Sequence, residues 1–230
     1  YAFLEHCLRE ELNRNAPRIM GVLNPVKLII DNYPEHQTET FFVENNPEKP
    51  EDGLRPVSFS RELWIEADDF MEEPAKKYFR LYPGNEVRLK TAYIIRCTGC
   101  RHAADGSVSE VHADYDPASS GGNAPDGRKI KGTIHWVDAC SALDAEVRLY
   151  DNLFSVADPD AADRDFLEHL NAASLVTLSG CKIEASVAGT QAPASFQFLR
   201  LGYFCLDAMD SRPDRLVFNR SVSLKDSYRG

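Results

Sequence analysis

Six basic side chains, Lys76, Lys77, Arg80, Arg88, Lys90 and Arg96, crowd into the stretch KKYFRLYPGNEVRLKTAYIIR beside a single acid, Glu86. Six positive charges against one negative make the stretch net +5, in a chain whose formal net charge is -10. A local reversal of sign on that scale is the chemistry of anion binding. From Glu86 onward the residues alternate, which predicts a strand with Val87, Leu89, Thr91, Tyr93 and Ile95 on one side and Arg88, Lys90 and Arg96 on the other. Two residues per repeat sets Arg88 and Lys90 about 6.6 Å apart on that face, a spacing that suits neighbouring groups of a polyanion. A solvated strand face is the plainer reading of the same pattern.

Aromatic residues stand beside these charges. Tyr78 and Phe79 precede Arg80, and Phe196 and Phe198 flank Gln197. Aromatic faces next to basic groups suit unpaired bases, although strand cores use the same residues. Arginine forks and glutamine amides tell base edges apart, whereas phosphate contacts do not.

Other chemistries find less support. Cys97 and Cys100 form a CxxC with His102 and His112 nearby. A zinc site needs four converging ligands, and no second CxxC or HxxxH completes this one. On a regular strand the two thiols would face opposite ways unless Gly99 makes a bulge. No GxSxG, P-loop or GxGxxG occurs, and no carboxylate pair is singled out by spacing, so no catalytic residue is assigned. In RKIKGTIHWV, Lys129, Lys131, Thr133 and His135 alternate with Ile130, Ile134 and Trp136, which makes His135 a polar-face strand residue.

The elements that must position these groups are mostly strands. YAFLEHCLREELN carries apolar residues at helical spacing and ends at Asn13, Asn15 and Pro17. Short β-rich runs follow, separated by Asp52-Gly53, Pro83-Gly84, Asp105-Gly106 and Asp126-Gly127. Asp105-Gly106 is a two-residue hairpin candidate, and Ala161 to Asn171 the one internal helix. Loops 45–55 and 116–127 are polar and rich in turn residues. Many short strands with regular turns predict barrels or sandwiches. The sequence pI of about 5.1 argues against a chain that holds nucleic acid by general attraction, so any such partner is met by a local, shaped site. No apolar run approaches a membrane span and no leader opens the chain, which predicts a cytoplasmic protein with six reduced cysteines. The opening inside a helix reads as the C-terminal piece of something longer.

Several long strings occur together in order: LNRNAPRIMGVLNPVKLIIDNY, KKYFRLYPGNEVRLK, DGRKIKGTIHWV, VRLYDNLFSV, FQFLRLGYFCLD and VFNRSVSLKDS. Through them essentially the whole chain resembles the C-terminal anticodon-binding region of the bacterial glutaminyl-tRNA synthetases, a class I family. The resemblance implies a mainly β fold of two β-barrels like the ribosomal 5S RNA-binding protein, after a short N-terminal helical segment. Residues 1–17 would end a linker from the catalytic core, 18–73 with 156–230 would form a proximal barrel, and 74–155 a distal one. It further implies a monomer whose partners are the tRNA(Gln) anticodon loop and an upstream class I catalytic domain. ATP and Mg2+ would serve that domain, with no cofactor in this region, since the HIGH and KMSKS motifs do not occur here.

Residue by residue, the resemblance implies that Arg18 and Gln197 read the middle uridine of the anticodon and Arg80 its third-position guanosine. Arg88 and Lys90 would hold the wobble nucleotide. Lys77 stands where the family has glutamine, exchanging an amide for a charge, and Lys90 replaces an arginine, which supplies a point charge in place of a planar fork. Leu199 and Phe79 stand where the family has glutamate and lysine. Arg200 matches a basic residue beside the anticodon, and Ser227 a hydroxyl close to it. The alternatives are the anticodon-binding region of an archaeal or eukaryotic-type glutamyl-tRNA synthetase, a stand-alone RNA-binding barrel, and a sandwich that binds no RNA.

Overall fold

A computed structural model describes residues 2–160 and 165–226. The chain opens in a helix, Ala2–Asn15, whose Leu8 and Leu12 pack against Ala16, Tyr203 and Val222. Its last carbonyls lack intrahelical donors, and the buried Asn46 side chain supplies one, donating to Arg14 O at 3.0 Å. The loop 45–55 is thus a helix cap as well as a connection.

Two seven-stranded sheets follow. The first runs in the order Arg18–Ile19, Ser195–Phe198, Gly202–Leu206, Leu216–Ser223, Leu143–Tyr150, Leu175–Ile183, Gly21–Val22. The second runs Gly132–Ile134, Glu86–Leu89, Ile94–His102, Val108–Tyr115, Pro25–Ile30, Glu62–Glu66, Val137–Asp138. In both, the two outermost strands are neighbours along the chain, separated by Met20 in one and by His135 and Trp136 in the other. The edges of each sheet are thus linked by one kinked segment, and the architecture is mainly β with two barrel-like sheets, one nearly closed and one a half-barrel. A hairpin, Glu39–Glu44 with Leu54–Phe59, covers the second sheet through Phe41 and Phe59, and Phe59 meets Trp136 edge-on at 5.1 Å. The first sheet closes over Phe198, Phe204 and Phe218, with Phe198 stacked on Phe204 at 4.2 Å.

The strands divide between the sheets differently from the expected 18–73 with 156–230 and 74–155. Pro25–Ile30 and Glu62–Glu66 pair into the same sheet as Glu86–Leu89, while Leu143–Tyr150 belongs to the sheet of residues 175–223. Ladder pairing decides this: Lys27 to Ile30 lie in parallel register with Glu110 to Ala113, and Ala145 to Arg148 with Leu216 to Asn219.

Local expectations fare unevenly. The strand expected from Glu86 through Arg96 is two, folded at Lys90 to Tyr93, with Thr91 at φ 62° and Glu86 opposite Arg96. The Asp105-Gly106 turn joins two paired strands, but its loop has three residues between Ala103, whose N–H donates to Ser107 O, and Ser107, and Gly106 takes the left-handed place at φ 85°. Of the helix expected over Ala161 to Asn171, residues 161–164 lie outside the described residues, and the rest holds only a 3-10 turn, Phe166–His169. All six cysteines are free, and no described helix is long and apolar enough to cross a membrane.

Buried polar contacts tie the two sheets together. Arg55, from the hairpin, pairs with Glu184 beyond the first sheet's strand Leu175–Ile183, and Glu184 also accepts from Met20 N. Glu66 accepts from the N–H groups of Leu23 and Asn24, where the chain leaves the first sheet. Burial by itself would raise the Glu66 pKa, but the neighbouring His135 ring and the hydrogen bonds from those two amides hold it below the usual glutamate value.

Candidate nucleic-acid interface

Arg18 and Gln197, far apart in sequence, face each other across parallel strands as direct register partners. Phe196 and Phe198 turn into the core, so alternation turns Gln197 between them the other way. Arg18 is anchored by its Nη2, which donates to Asn13 Oδ1 at 3.0 Å and lies 3.7 Å from Glu48. Its Nε is buried without a partner, and so is Gln197 Oε1. One donor and one acceptor thus stand unsatisfied on neighbouring strands.

Three residues beyond Gln197, Arg200 occupies a tight turn at φ 70° and reaches Asp69 of the short turn Ala67–Asp69. Both of its terminal nitrogens bond the fully buried Asp69 carboxylate, at 2.6 Å each. That carboxylate holds Arg200 more firmly protonated than a free guanidinium. Arg80 approaches the same carboxylate, Nη1 to Oδ1 at 3.3 Å, and donates to Asp68 O at 3.1 Å. His135 lies 3.3 Å from Arg200 Nη1 through its Nδ1, and its Nε2 is 3.6 Å from Glu66 Oε1. His135 was expected on a polar strand face. It is 1 % exposed, because the strand kinks there between Ile134 and Val137 and turns the ring into the join between the sheets.

Beside Arg80 opens a cleft of about 680 Å³ lined by Lys77, Tyr78, Phe79, Tyr82, Arg96, Lys129 and Lys131. Phe79 is half exposed, and the Lys131 ammonium sits 5.2 Å above its ring. Burial, then the nearby Asp69 charge, pushes the Tyr78 hydroxyl up to about 12, so the ring stays neutral at ordinary pH and donates to Asp68 O at 3.0 Å. Lys77, at φ 68°, takes a strained turn at the rim. Gly132 is required behind it, since a Cβ there would strike the Phe79 carbonyl.

On the far side of Gly132, Thr133 is the register partner of Arg88 and receives its Nη1 at 3.3 Å, while Arg88 Nε donates to Gly122 O in the 116–127 loop. Gly122 lies at φ 82°, and a Cβ on it would collide with the Arg88 side chain. Lys90 is exposed just past the strand, its backbone N–H bonded to Ile134 O at 2.9 Å. Arg88 and Lys90 therefore share an edge as neighbours of one strand, Gly132–Ile134, although the long strand expected to align them does not form.

Local links join these residues in turn: Arg18 pairs with Gln197, Arg200 and Arg80 meet at Asp69, Lys77 lines the cleft beside Arg80, and Arg88 and Lys90 both neighbour the strand Gly132–Ile134. Ser227 lies outside the described residues. Lys129, Lys131 and Tyr82 line the cleft, and Asp69 lies buried against Arg80 and Arg200, none of them singled out from the sequence as site residues. Alternation in RKIKGTIHWV did turn both lysines outward, but nothing local marks Asp69 among its acidic neighbours.

The zinc reading of Cys97 and Cys100 takes a different form. A bulge does fall between Cys97 and Gly99, yet Cys97 is buried and burial pushes its thiol up to about 11. Cys100 instead meets His102 and Glu72, their ligand atoms all within 4.8 Å of one another. Burial and Glu72 raise the Cys100 pKa, which works against the thiolate a metal requires.

Two family models match, both described as tRNA synthetases class I (E and Q), anti-codon binding domain, over residues 16–116 and 133–207. Similar curated proteins include the glutamine–tRNA ligase of Clostridium kluyveri, 50 % identical over 227 residues that make up 98 % of this chain and 41 % of that protein. The glutamine–tRNA ligase of Vibrio campbellii is 51 % identical over 99 % of this chain and 41 % of its own length. That of Bradyrhizobium diazoefficiens is 51 % identical over 98 % of this chain and 40 % of its own length. The chain spans about two-fifths of the relatives it matches, and it belongs to the anticodon-binding domains of the class I glutamate and glutamine tRNA synthetases.

Proposed function

We propose that this chain is the anticodon-recognition region of a cytoplasmic glutamine–tRNA ligase, selecting tRNA(Gln) for ATP-dependent attachment of glutamine by a catalytic part outside these residues. ATP and Mg2+ would act there. The relatives named above support glutamine over glutamate, since all carry the glutamine–tRNA ligase name.

The observation that carries the reading is the placement of Arg18 and Gln197 side by side as register partners of paired strands. A uracil edge offers one N–H donor beside carbonyl acceptors. An arginine fork donates to a carbonyl oxygen and a glutamine amide both donates and accepts, so the pair matches an unstacked uridine. On this reading Arg80 takes the third base, Lys77 and Arg200 lie beside it, and Arg88 and Lys90 hold the wobble nucleotide. The aromatic cleft with Lys129 and Lys131 receives the splayed loop. The acidic total fits a module that recognises a few unpaired bases and does not coat a duplex.

The test is binding of this chain, at one fixed salt concentration, to an anticodon stem-loop bearing CUG and to the same hairpin with its middle base replaced. The proposal requires a clear preference for CUG. Equal binding to both hairpins would overturn it.

A further inference from the structure

Arg80 and Arg200 converge on one buried carboxylate from distant parts of the chain, and they engage it differently. Arg200 commits both terminal nitrogens to Asp69, one to each oxygen, at 2.6 Å. Its fork is closed on the protein. Arg80 touches Asp69 and the Asp68 carbonyl through Nη1 alone, and its side chain is 45 % exposed. Neither its Nε nor its Nη2 takes part in these two contacts. Asp69 itself is fully buried, so a lone charge there would be costly, and the Arg200 pair offsets that cost.

We infer that Asp69 is a positioning residue for base specificity: it aims the Arg80 fork at the third anticodon base, while Arg200 serves as its counter-ion and reads no base. This rests on the anticodon reading above and changes one part of it, because Arg200 is removed from the groups that touch RNA. The physical reason is directional. A guanidinium reads guanine O6 and N7 only when two N–H groups point along one line, and a flexible exposed arginine loses that alignment. Asp69 and the Asp68 carbonyl fix Arg80 at one end of its fork, and burial keeps Asp69 from moving. Arg200 reaches Asp69 from the other sheet, so the aim of Arg80 also depends on how the sheets sit together.

The experiment measures two ratios with this chain and anticodon stem-loops: guanine against adenine at the third base, and uridine against cytidine at the middle base. Asp69→Asn keeps the shape and removes the charge. It is expected to cut the third-base ratio by about tenfold while leaving the middle-base ratio within about twofold. Arg200→Lys keeps the counter-charge and is expected to leave both ratios within about twofold. An unchanged third-base ratio in Asp69→Asn overturns the inference, and so does an equal fall in both ratios, which would make Asp69 a structural residue only. A loss of third-base preference in Arg200→Lys would make Arg200 a base reader and overturn its assignment as counter-ion. Should Asp69→Asn fail to fold, Arg80→Lys and Arg200→Lys decide, since the inference requires the first to lose the third-base ratio and the second to retain it. A wild-type chain without preference at either base would fail the anticodon reading itself, a result distinct from all of these.

Discussion

At one end of this series of residues, Arg18 and Gln197 are built into paired strands, with Asn13 fixing Arg18 and a phenylalanine core fixing the strand that carries Gln197. At the other end, Lys77, Lys90, Lys129 and Lys131 ride on turns and strand edges, exposed and carrying charge more than shape. The two ends differ in how firmly they are held. The strand-built pair sets a guanidinium and an amide at fixed places and so favours a ligand with the matching pattern. The lysines are already solvated, so they gain mainly by displacing counterions from phosphates. On the proposed function, discrimination belongs to the first arrangement and attraction to the second.

The largest effect should come from undermining the strand-built end. Glu184 holds Arg55 in a buried pair and also caps Met20 N between the two strands that join the edges of the first sheet. Glu184→Ala strands a buried guanidinium, and a fall of about 3–5 kcal/mol is expected in urea unfolding. A loss below about 1 kcal/mol would mean that water reaches Arg55 and that the segment carrying Arg18 is not rigidly held.

Next in size is the reading itself. Gln197→Ala should reduce discrimination at the middle base by about 1–3 kcal/mol in stem-loop binding, with the third-base preference retained. A uniform loss over all hairpins would place Gln197 with the charge-based end.

Smaller still, Lys129→Ala and Lys131→Ala should each weaken every hairpin alike. Each should lower the slope of log affinity against log salt by about 0.7, the value for one single-strand phosphate contact. A change in base preference in either variant would blur the contrast between the two ends.

The smallest effect concerns the join between the sheets. The Glu66 pKa is held below its unfolded value, so the stability it contributes is present above the ordinary glutamate range and is lost as pH falls through the depressed folded value. The gap in urea midpoint between wild type and Glu66→Gln should therefore be full near neutrality and shrink in acid. A gap that stays constant down to acid pH would contradict the linkage.

How much of this was legible in the sequence varies with the distance over which each signal acts. Alternation turned Lys129, Lys131 and Thr133 outward correctly, and it failed at His135, where the two edges of a sheet meet and the chain must bend. The fold-back at Thr91 gave no sign, because a β-branched residue at positive φ is not a turn signal. Sheet membership was misassigned for Pro25–Ile30 and Leu143–Tyr150, since an apolar strand does not declare its partner. Gln197 stood out between two phenylalanines, but Arg18 and its pairing with Gln197 came only through the family resemblance; no spacing rule connects residues so far apart. Asp69 was not found at all, because its role comes from burial beneath two arginines that only the folded chain brings together.

The most direct test of the contrast is a titration of this chain, at two salt concentrations, with two anticodon stem-loops that differ only in the middle base. If strand-built groups read and exposed charges attract, both affinities fall as salt rises while their ratio stays constant. A ratio that collapses toward one with salt would show that the preference is electrostatic, and that Arg18 and Gln197 do not read the base.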